Sequence, residues 1–175
     1  MDYFYLDFFG LKRKLPIVPI APKVKIASLS LLGDVELTEK AAEKLAERLK
    51  DYEFDYLVGP EVKVVPLLLA LSQKLGKKKF IVCRKSIKGY MTSPKVLNFG
   101  TQKLVLDGPD AELIKGKKVA VVDDVISSGT TIINLKKILD HTGANITIVA
   151  AIFMQGERYQ ESVLYLSELP VFEQK

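Results

Sequence analysis

Residues 117–131, KKVAVVDDVISSGTT, constrain this chain more than any other stretch. Val119 to Val122 is apolar without alternation, which predicts a strand buried on both faces, as in a parallel sheet covered by helices. Two adjacent carboxylates follow, Asp123 and Asp124, and then a small hydroxyl-rich turn, Ser127-Ser128-Gly129-Thr130-Thr131, that opens a helix. Backbone N–H groups and hydroxyls at a helix start gather in a positive field, which suits a phosphate. The acids before it suit sugar hydroxyls or a metal ion, so a ligand joining phosphate to ribose satisfies both halves. Because neighbouring strand side chains face opposite ways, the two acids are expected where the strand ends and the backbone turns.

The rest of the pattern alternates strands with helices. Residues 1–22 mix aromatics, the basic run Lys12-Arg13-Lys14 and Pro16, Pro19 and Pro22, and are expected as an irregular or extended arm. Val24 to Leu32 reads as a strand, followed by an amphipathic helix capped by Thr38 and running to about Lys50. Phe54 to Val58 is a second strand, Val62 to Leu75 a helix closed by Gly76, and Phe80 to Cys83 a third strand. The pattern dissolves from Arg84 to Gly100 and resumes as a short strand at Thr101 to Leu106. Val119 to Val122, a helix from Gly129 to Asp140 and a strand from Ile146 to Phe153 complete the core. The expected fold class is α/β, a mainly parallel central sheet with helices on both faces and an N-terminal hood or arm over residues 1–33. At 175 residues and 48% hydrophobic, the chain makes one domain, 1–175, with a real core.

Twenty-six basic against 21 acidic residues give a net charge of +5. No helix-turn-helix or aromatic RNA-reading motif accompanies that charge, so nucleic acid is not an expected partner. A protein that handles a polyanionic small substrate needs local positive charge as well. The single cysteine, Cys83, excludes an internal disulfide and a thiolate metal cluster, and it lies in an apolar strand as a buried small residue. His141 falls near a helix end with no second ligand. No signal peptide is visible and the apolar runs are too short to span a bilayer, so a cytoplasmic location is expected and no membrane partner.

In open α/β sheets ligands bind outside the carboxyl ends of the strands. Three polar clusters emerge on that edge: Gly59-Pro60-Glu61-Val62-Lys63, a turn with a cation just inside the next helix; Arg84-Lys85-Ser86-Ile87-Lys88-Gly89-Tyr90; and the acid pair with its hydroxyl turn. The lysine of a P-loop and the glycine spacing of a dinucleotide-binding turn are both missing. A signalling receiver domain is excluded because its acids come early and its phosphoacceptor lies downstream.

Val119 to Thr131 resembles the phosphoribosyl-pyrophosphate (PRPP) signature of the type I phosphoribosyltransferases. That signature is four apolar residues, two acids, two apolar residues, two small residues, then Gly-x-Thr. The basic cluster at 84–90 is similar to the start of the mobile catalytic loop in the adenine phosphoribosyltransferase-like branch, and the likeness runs from Val24 to Phe153. The resemblance implies a purine phosphoribosyltransferase of purine salvage. It would transfer 5-phosphoribose from PRPP to a purine, adenine first and hypoxanthine, guanine or xanthine as alternatives, and release pyrophosphate and a nucleoside monophosphate. A PRPP- or nucleotide-sensing regulator of the same fold is the rival reading.

The resemblance also assigns roles. Asp123 and Asp124 would grip the ribose hydroxyls, favour the developing oxocarbenium ion, and face Mg²⁺ indirectly through ribose or water. Ser127, Ser128, Gly129, Thr130 and Thr131 would hold the 5′-phosphate. Glu61, Val62 and Lys63 would form the pyrophosphate loop, joined by Arg84 and Lys85, with Lys88 and Tyr90 as catalytic positions in a mobile loop spanning 84–106. Val125, Ile126 and Ile26 would line the base pocket, and a homodimer is implied. The chain departs from the branch at two places. Ile26-Ala27 precede Ser28-Leu29-Ser30 where the branch has an aromatic and an arginine, and no Glu or Asp occurs between Arg84 and Leu106.

Overall fold

The structure, a computed structural model, describes residues 2–99, 102–156 and 159–173. The central sheet has five strands in the order β10-β9-β8-β4-β5, all parallel: β4 (Tyr56–Pro60), β5 (Phe80–Cys83), β8 (Lys118–Ile126), β9 (Asn145–Gln155) and β10 (Leu164–Leu169). Strand β8 shows why its core sequence does not alternate. Val119 and Val121 pack with Ile81, Cys83 and Val149 on one face, while Ala120 and Val122 pack with Leu57, Ala150 and Ile152 on the other. Both faces are covered, so both sets of side chains are apolar.

Helices α1 (Val35–Leu49) and α2 (Val65–Lys74) cover one face. Leu37, Ala41, Leu45 and Leu49 recur every four residues along α1 and are all buried. Burying a leucine contributes about 1.5–3 kcal/mol, so this stripe outweighs the weak helical preference of the exposed side. The N-cap is Asp34, whose carboxylate accepts from the Leu37 N–H at 3.0 Å and pairs with Arg13 at 2.6 Å. Thr38, the expected cap, sits one turn in and donates its hydroxyl to the Asp34 carbonyl. Helix α4 (Thr130–Thr142) covers the opposite face through Ile132, Leu135, Ile138 and Leu139, with the short α3 (Gly108–Ile114) beside it.

Residues 3–21 form two regular strands where an irregular or extended arm was expected, and a strand does begin at Val24 as expected. Strands β1 (Tyr3–Phe8), β2 (Leu11–Ala21) and β3 (Val24–Ala27) join β11 (Val171–Glu173) in a four-stranded sheet, the hood. Its prolines are tolerated by position. Pro16 ends the pairing of β2 with β1, and Pro19 borders the register shift between β2 and β3. Leu6 and Phe8 point inward, Phe8 stacking on Phe153 at 5.1 Å, while Tyr5 and Phe9 face out. Strand β3 stops at Ala27, short of the expected Leu32.

The stretch 84–106 carries more order than its composition suggests. Strands β6 (Lys95–Phe99) and β7 (Gln102–Leu106) form an antiparallel hairpin, and Leu104 and Leu106 enter the core. The part of the expected mobile loop outside regular structure is therefore 84–94; Gly100 and Thr101 lie outside the described residues. No helix among the described residues is long and apolar enough to cross a membrane. Cys83 is fully buried, and burial pushes its thiol up to about 12, so it acts as a small apolar residue.

Candidate active site

The site begins where β8 loses one neighbour. Pairing of β8 with β4 ends at Val58↔Val121, but pairing with β9 continues to Ile126↔Met154. Strand β8 therefore overhangs the order switch of the sheet, between β8 and β4, where a crevice opens. Gly59 permits this geometry, because a Cβ there would meet the Val122 carbonyl oxygen at 2.7 Å.

The acid pair stands on the overhang. The expectation that the strand ends before Asp123 does not hold: continued bonding to β9 carries it through both acids to Ile126. Both are buried, at 7% and 6% exposure. The N–H of Asp124 donates to Asp123 Oδ1 at 2.8 Å, and the N–H of Val125 donates to Asp124 Oδ1 at 3.0 Å. Asp124 Oδ2 is buried with no hydrogen-bond partner among the described residues. Burial, and then the neighbouring Asp124 carboxylate, push the Asp123 carboxyl well above the usual carboxylate range, and the charge of Lys63 opposes them.

Beyond the acids the chain bends through Ser127 and Ser128 into α4. Gly129 is the N-cap, at φ 74°, and its conformation and setting both demand glycine. A Cβ there would sit 1.9 Å from the ring of Tyr159, a buried residue that the sequence pattern did not single out. The Ser128 and Thr130 hydroxyls bond each other at 3.0 Å. Asp123 and the run from Val125 to Ile132 line a cavity of about 140 Å³. Val125 and Ile126 thus border this smaller cavity.

A second cavity, about 490 Å³, opens between the hood and the sheet and also reaches Ser127. Ile20, Val24 and Ile26 of the hood and Val171 of β11 supply its apolar wall, and Gln155 and Glu173 its polar groups. Gln155 had a sequence signal, as a polar residue closing the apolar run of β9. Glu173 had none, since β11 is a three-residue strand that exists by pairing with β3.

The turn after β4 lies beside the acids. Lys63 precedes α2, which starts at Val65 rather than Val62, and its Nζ lies 3.4 Å from the Leu29 carbonyl. Glu61 reaches the loop after β5: the N–H of Lys85 donates to Glu61 Oε1 at 2.7 Å, and Arg84 Nε lies 3.1 Å from Oε2. Val62 is exposed. Tyr90 is also exposed, its ring 5.8 Å from the Arg84 guanidinium, and the Lys88 N–H meets Met91 Sδ. Among the described residues, no hydrogen bond or ion pair ties the Lys88 or Tyr90 side chain to the acids. No group of three or more His, Cys, Asp and Glu side chains among those residues is placed to hold a metal alone.

The sequence model of the phosphoribosyl transferase domain matches residues 32–171. The chain belongs to this family. It is 31% identical to orotate phosphoribosyltransferase of Archaeoglobus fulgidus over 136 residues, covering 77% of this chain and 68% of that one. It is 33% identical to adenine phosphoribosyltransferase of Thermotoga maritima over 150 residues, covering 84% and 85%. The crystal structure of adenine phosphoribosyltransferase from Thermoanaerobacter pseudethanolicus shares the fold, with a TM-score of 0.75 at 21% identity, covering 88% and 95%. The overhanging acids, the turn at Gly129 and the two polar turns of this phosphoribosyltransferase thus belong to a domain whose family match spans all of them.

Proposed function

We propose that the chain transfers 5-phosphoribose from PRPP to a purine base, with release of pyrophosphate. The observation that carries this reading is the meeting of two unlike cavities at Ser127. One has the size and hydroxyl lining for a phosphoryl group beside two acids, and the other is a roomier cleft with apolar walls for a flat base. A nucleoside monophosphate has those two ends.

In the transfer, the C1′–oxygen bond to pyrophosphate breaks, a base nitrogen bonds to C1′, and the proton of that nitrogen is lost. Positive charge grows on the ribose ring, next to Asp123 and Asp124. Their ionised form stabilises it, and ribose hydroxyls can donate to the unpartnered Asp124 Oδ2. Negative charge grows on pyrophosphate, to be met by Lys63 on the turn after β4 and by Arg84 and Lys85 on the loop after β5, with Lys88 and Tyr90 further along the same loop. Donors at Ser127 to Thr131 hold the 5′-phosphate. Charged hydrogen bonds contribute about 1.5–3 kcal/mol each, so several outweigh a helix-dipole effect of under about 1 kcal/mol. The hard carboxylate oxygens of Asp123 and Asp124 fit Mg²⁺ held through ribose oxygens or water. When bound, that ion neutralises charge on the leaving pyrophosphate.

Pyrophosphate release from PRPP and Mg²⁺ is the test, with adenine, guanine, hypoxanthine, xanthine and orotate as acceptors. Turnover with a purine supports the reading. Turnover with orotate alone would replace it by a pyrimidine enzyme, and PRPP binding without turnover by a sensor. A homodimer in the cytoplasm completes the proposal, and gel filtration with light scattering tests the dimer.

A further inference from the structure

The lining of the larger cavity bears on the choice of base, an inference that rests on the transfer reading. Gln155 is 4% exposed at the end of β9, and its Nε2 donates to the Ala27 carbonyl at 2.9 Å. A carbonyl only accepts, so the amide nitrogen is fixed towards the hood and Oε1 is the end left over for the cleft. Glu173 reaches the same cleft from β11, held in place by the pairing Glu173↔Val24. Ser127 adds a hydroxyl. Among the described residues, no lysine or arginine lines this cavity.

We propose that Gln155 and Glu173 set base specificity, as two acceptors that select a purine bearing an exocyclic amino group over a purine that lacks one or an acidic pyrimidine. Ile20, Val24, Ile26 and Val171 take up the ring's apolar surface without preference among bases. The polar groups decide. An amino N–H donates to a carbonyl or carboxylate oxygen, whereas an oxo group facing either leaves two acceptors opposed. A carboxylate-bearing base such as orotate meets the Glu173 charge with no cation to offset it. Sites that hydrogen-bond a substrate N–H reject analogues lacking it by orders of magnitude, far more than apolar fit can.

The test compares kcat/KM across the five bases for the full-length wild type, Glu173→Gln and Glu173→Lys. Glu173 is exposed on its strand, so neither change disturbs the core. The wild type is expected to prefer an aminopurine (adenine or guanine) over hypoxanthine, xanthine and orotate by at least about tenfold. Glu173→Gln is expected to narrow that ratio by about tenfold through KM for the base, with KM for PRPP unchanged. Glu173→Lys, which puts a donor in place of an acceptor, is expected to raise hypoxanthine, xanthine or orotate use above the wild-type level, a gain that misfolding cannot produce. Unchanged ratios in both variants overturn the proposal while transfer itself stands. Should no base turn over, the transfer reading fails separately, and calorimetry with AMP and IMP reads the cleft directly. Tighter AMP binding that Glu173→Gln abolishes upholds the assignment, and equal binding of the two overturns it.

Discussion

Arg84 Nε lies 3.1 Å from Glu61 Oε2, and the next residue's N–H donates to the other oxygen of the same carboxylate at 2.7 Å. One acid side chain thus ties the turn after β4 to the basic loop after β5. The Arg84 contact is electrostatic, because its Nε–H is not aligned for a hydrogen bond. Glu61 therefore holds the Arg84 cation at the crevice by charge, while its other oxygen fixes the backbone of the basic loop.

Glu61→Gln should separate those roles. The amide oxygen can still accept from the Lys85 N–H, so the loop stays attached, but the charge that holds Arg84 is gone. Both side chains are partly exposed, so stability should change by under about 1 kcal/mol. KM for PRPP should rise about tenfold, or ~1.4 kcal/mol, with a smaller change in kcat. Thermal melts and initial rates at varied PRPP check the two halves. A large loss of melting temperature with unchanged KM would make Glu61 a structural residue only.

Asp123→Asn should stabilise the ligand-free fold and disable it. The asparagine oxygen can still accept from the Asp124 N–H, while the cost of a buried charge beside a second carboxylate disappears. The melting temperature at neutral pH should rise, and kcat should fall on the order of 100-fold or more, since the charge opposite the developing cation is lost. Melts and turnover of the same preparation test both signs. A variant that melts lower and still turns over would show that the pair is structural.

The central sheet was legible because its signals are local. A buried parallel strand needs apolar residues on both faces, and Val119 to Val122 has them. The acid pair and hydroxyl turn were legible because one short segment carries both. What escaped depends on partners distant in sequence. The hood sheet is not visible from its own segment, because β3, itself readable as a strand, takes β11 as partner from some 145 residues away (171 − 26) in the pair Val171↔Ile26. Strand β8 was expected to stop before Asp123, because an acid is a poor core residue. Backbone pairing to β9 overrides that local preference and carries both acids into a buried setting. Glu173 is invisible for the same reason, a lone acid near the chain's end that acquires meaning only once it pairs with Val24 and lines a cleft with Gln155.

Gly129→Ala should abolish the phosphate turn. The position sits at φ 74°, where a side chain is strained, and the added Cβ would lie 1.9 Å from the Tyr159 ring. Backbone strain of this kind costs about 1–3 kcal/mol, before any movement of the ring. Melting temperature should fall, and PRPP affinity should fall by more than the melt suggests, because the N–H groups of Gly129 to Thr131 no longer converge. Adding Tyr159→Ala removes the clash and leaves the φ strain. The double variant should recover part of the stability but little of the affinity, as read by calorimetry with PRPP and Mg²⁺.

Stability should respond to pH in opposite directions on the two sides of the ordinary aspartate value, 3.8. Hydrogen bonding to Arg13 holds the Asp34 carboxyl below that value, so its contribution is complete above 3.8 and is lost as the pH falls further. Burial raises Asp123, so the native state keeps a proton that the unfolded chain has already released. Above 3.8 the unfolded state therefore binds fewer protons than the native state at this site, and stability declines with rising pH until Asp123 ionises in the fold as well. Denaturant melts of the wild type should show that decline, and Asp123→Asn should remove it while leaving the acid-side loss governed by Asp34. Ribose hydroxyls donating to Asp123 favour its ionised form, so binding of PRPP with Mg²⁺ should release protons within the same window. Calorimetry in two buffers of different ionisation enthalpy reads that release. Equal heats in the two buffers, together with a flat stability profile above 3.8, would mean that Asp123 is already ionised without ligand.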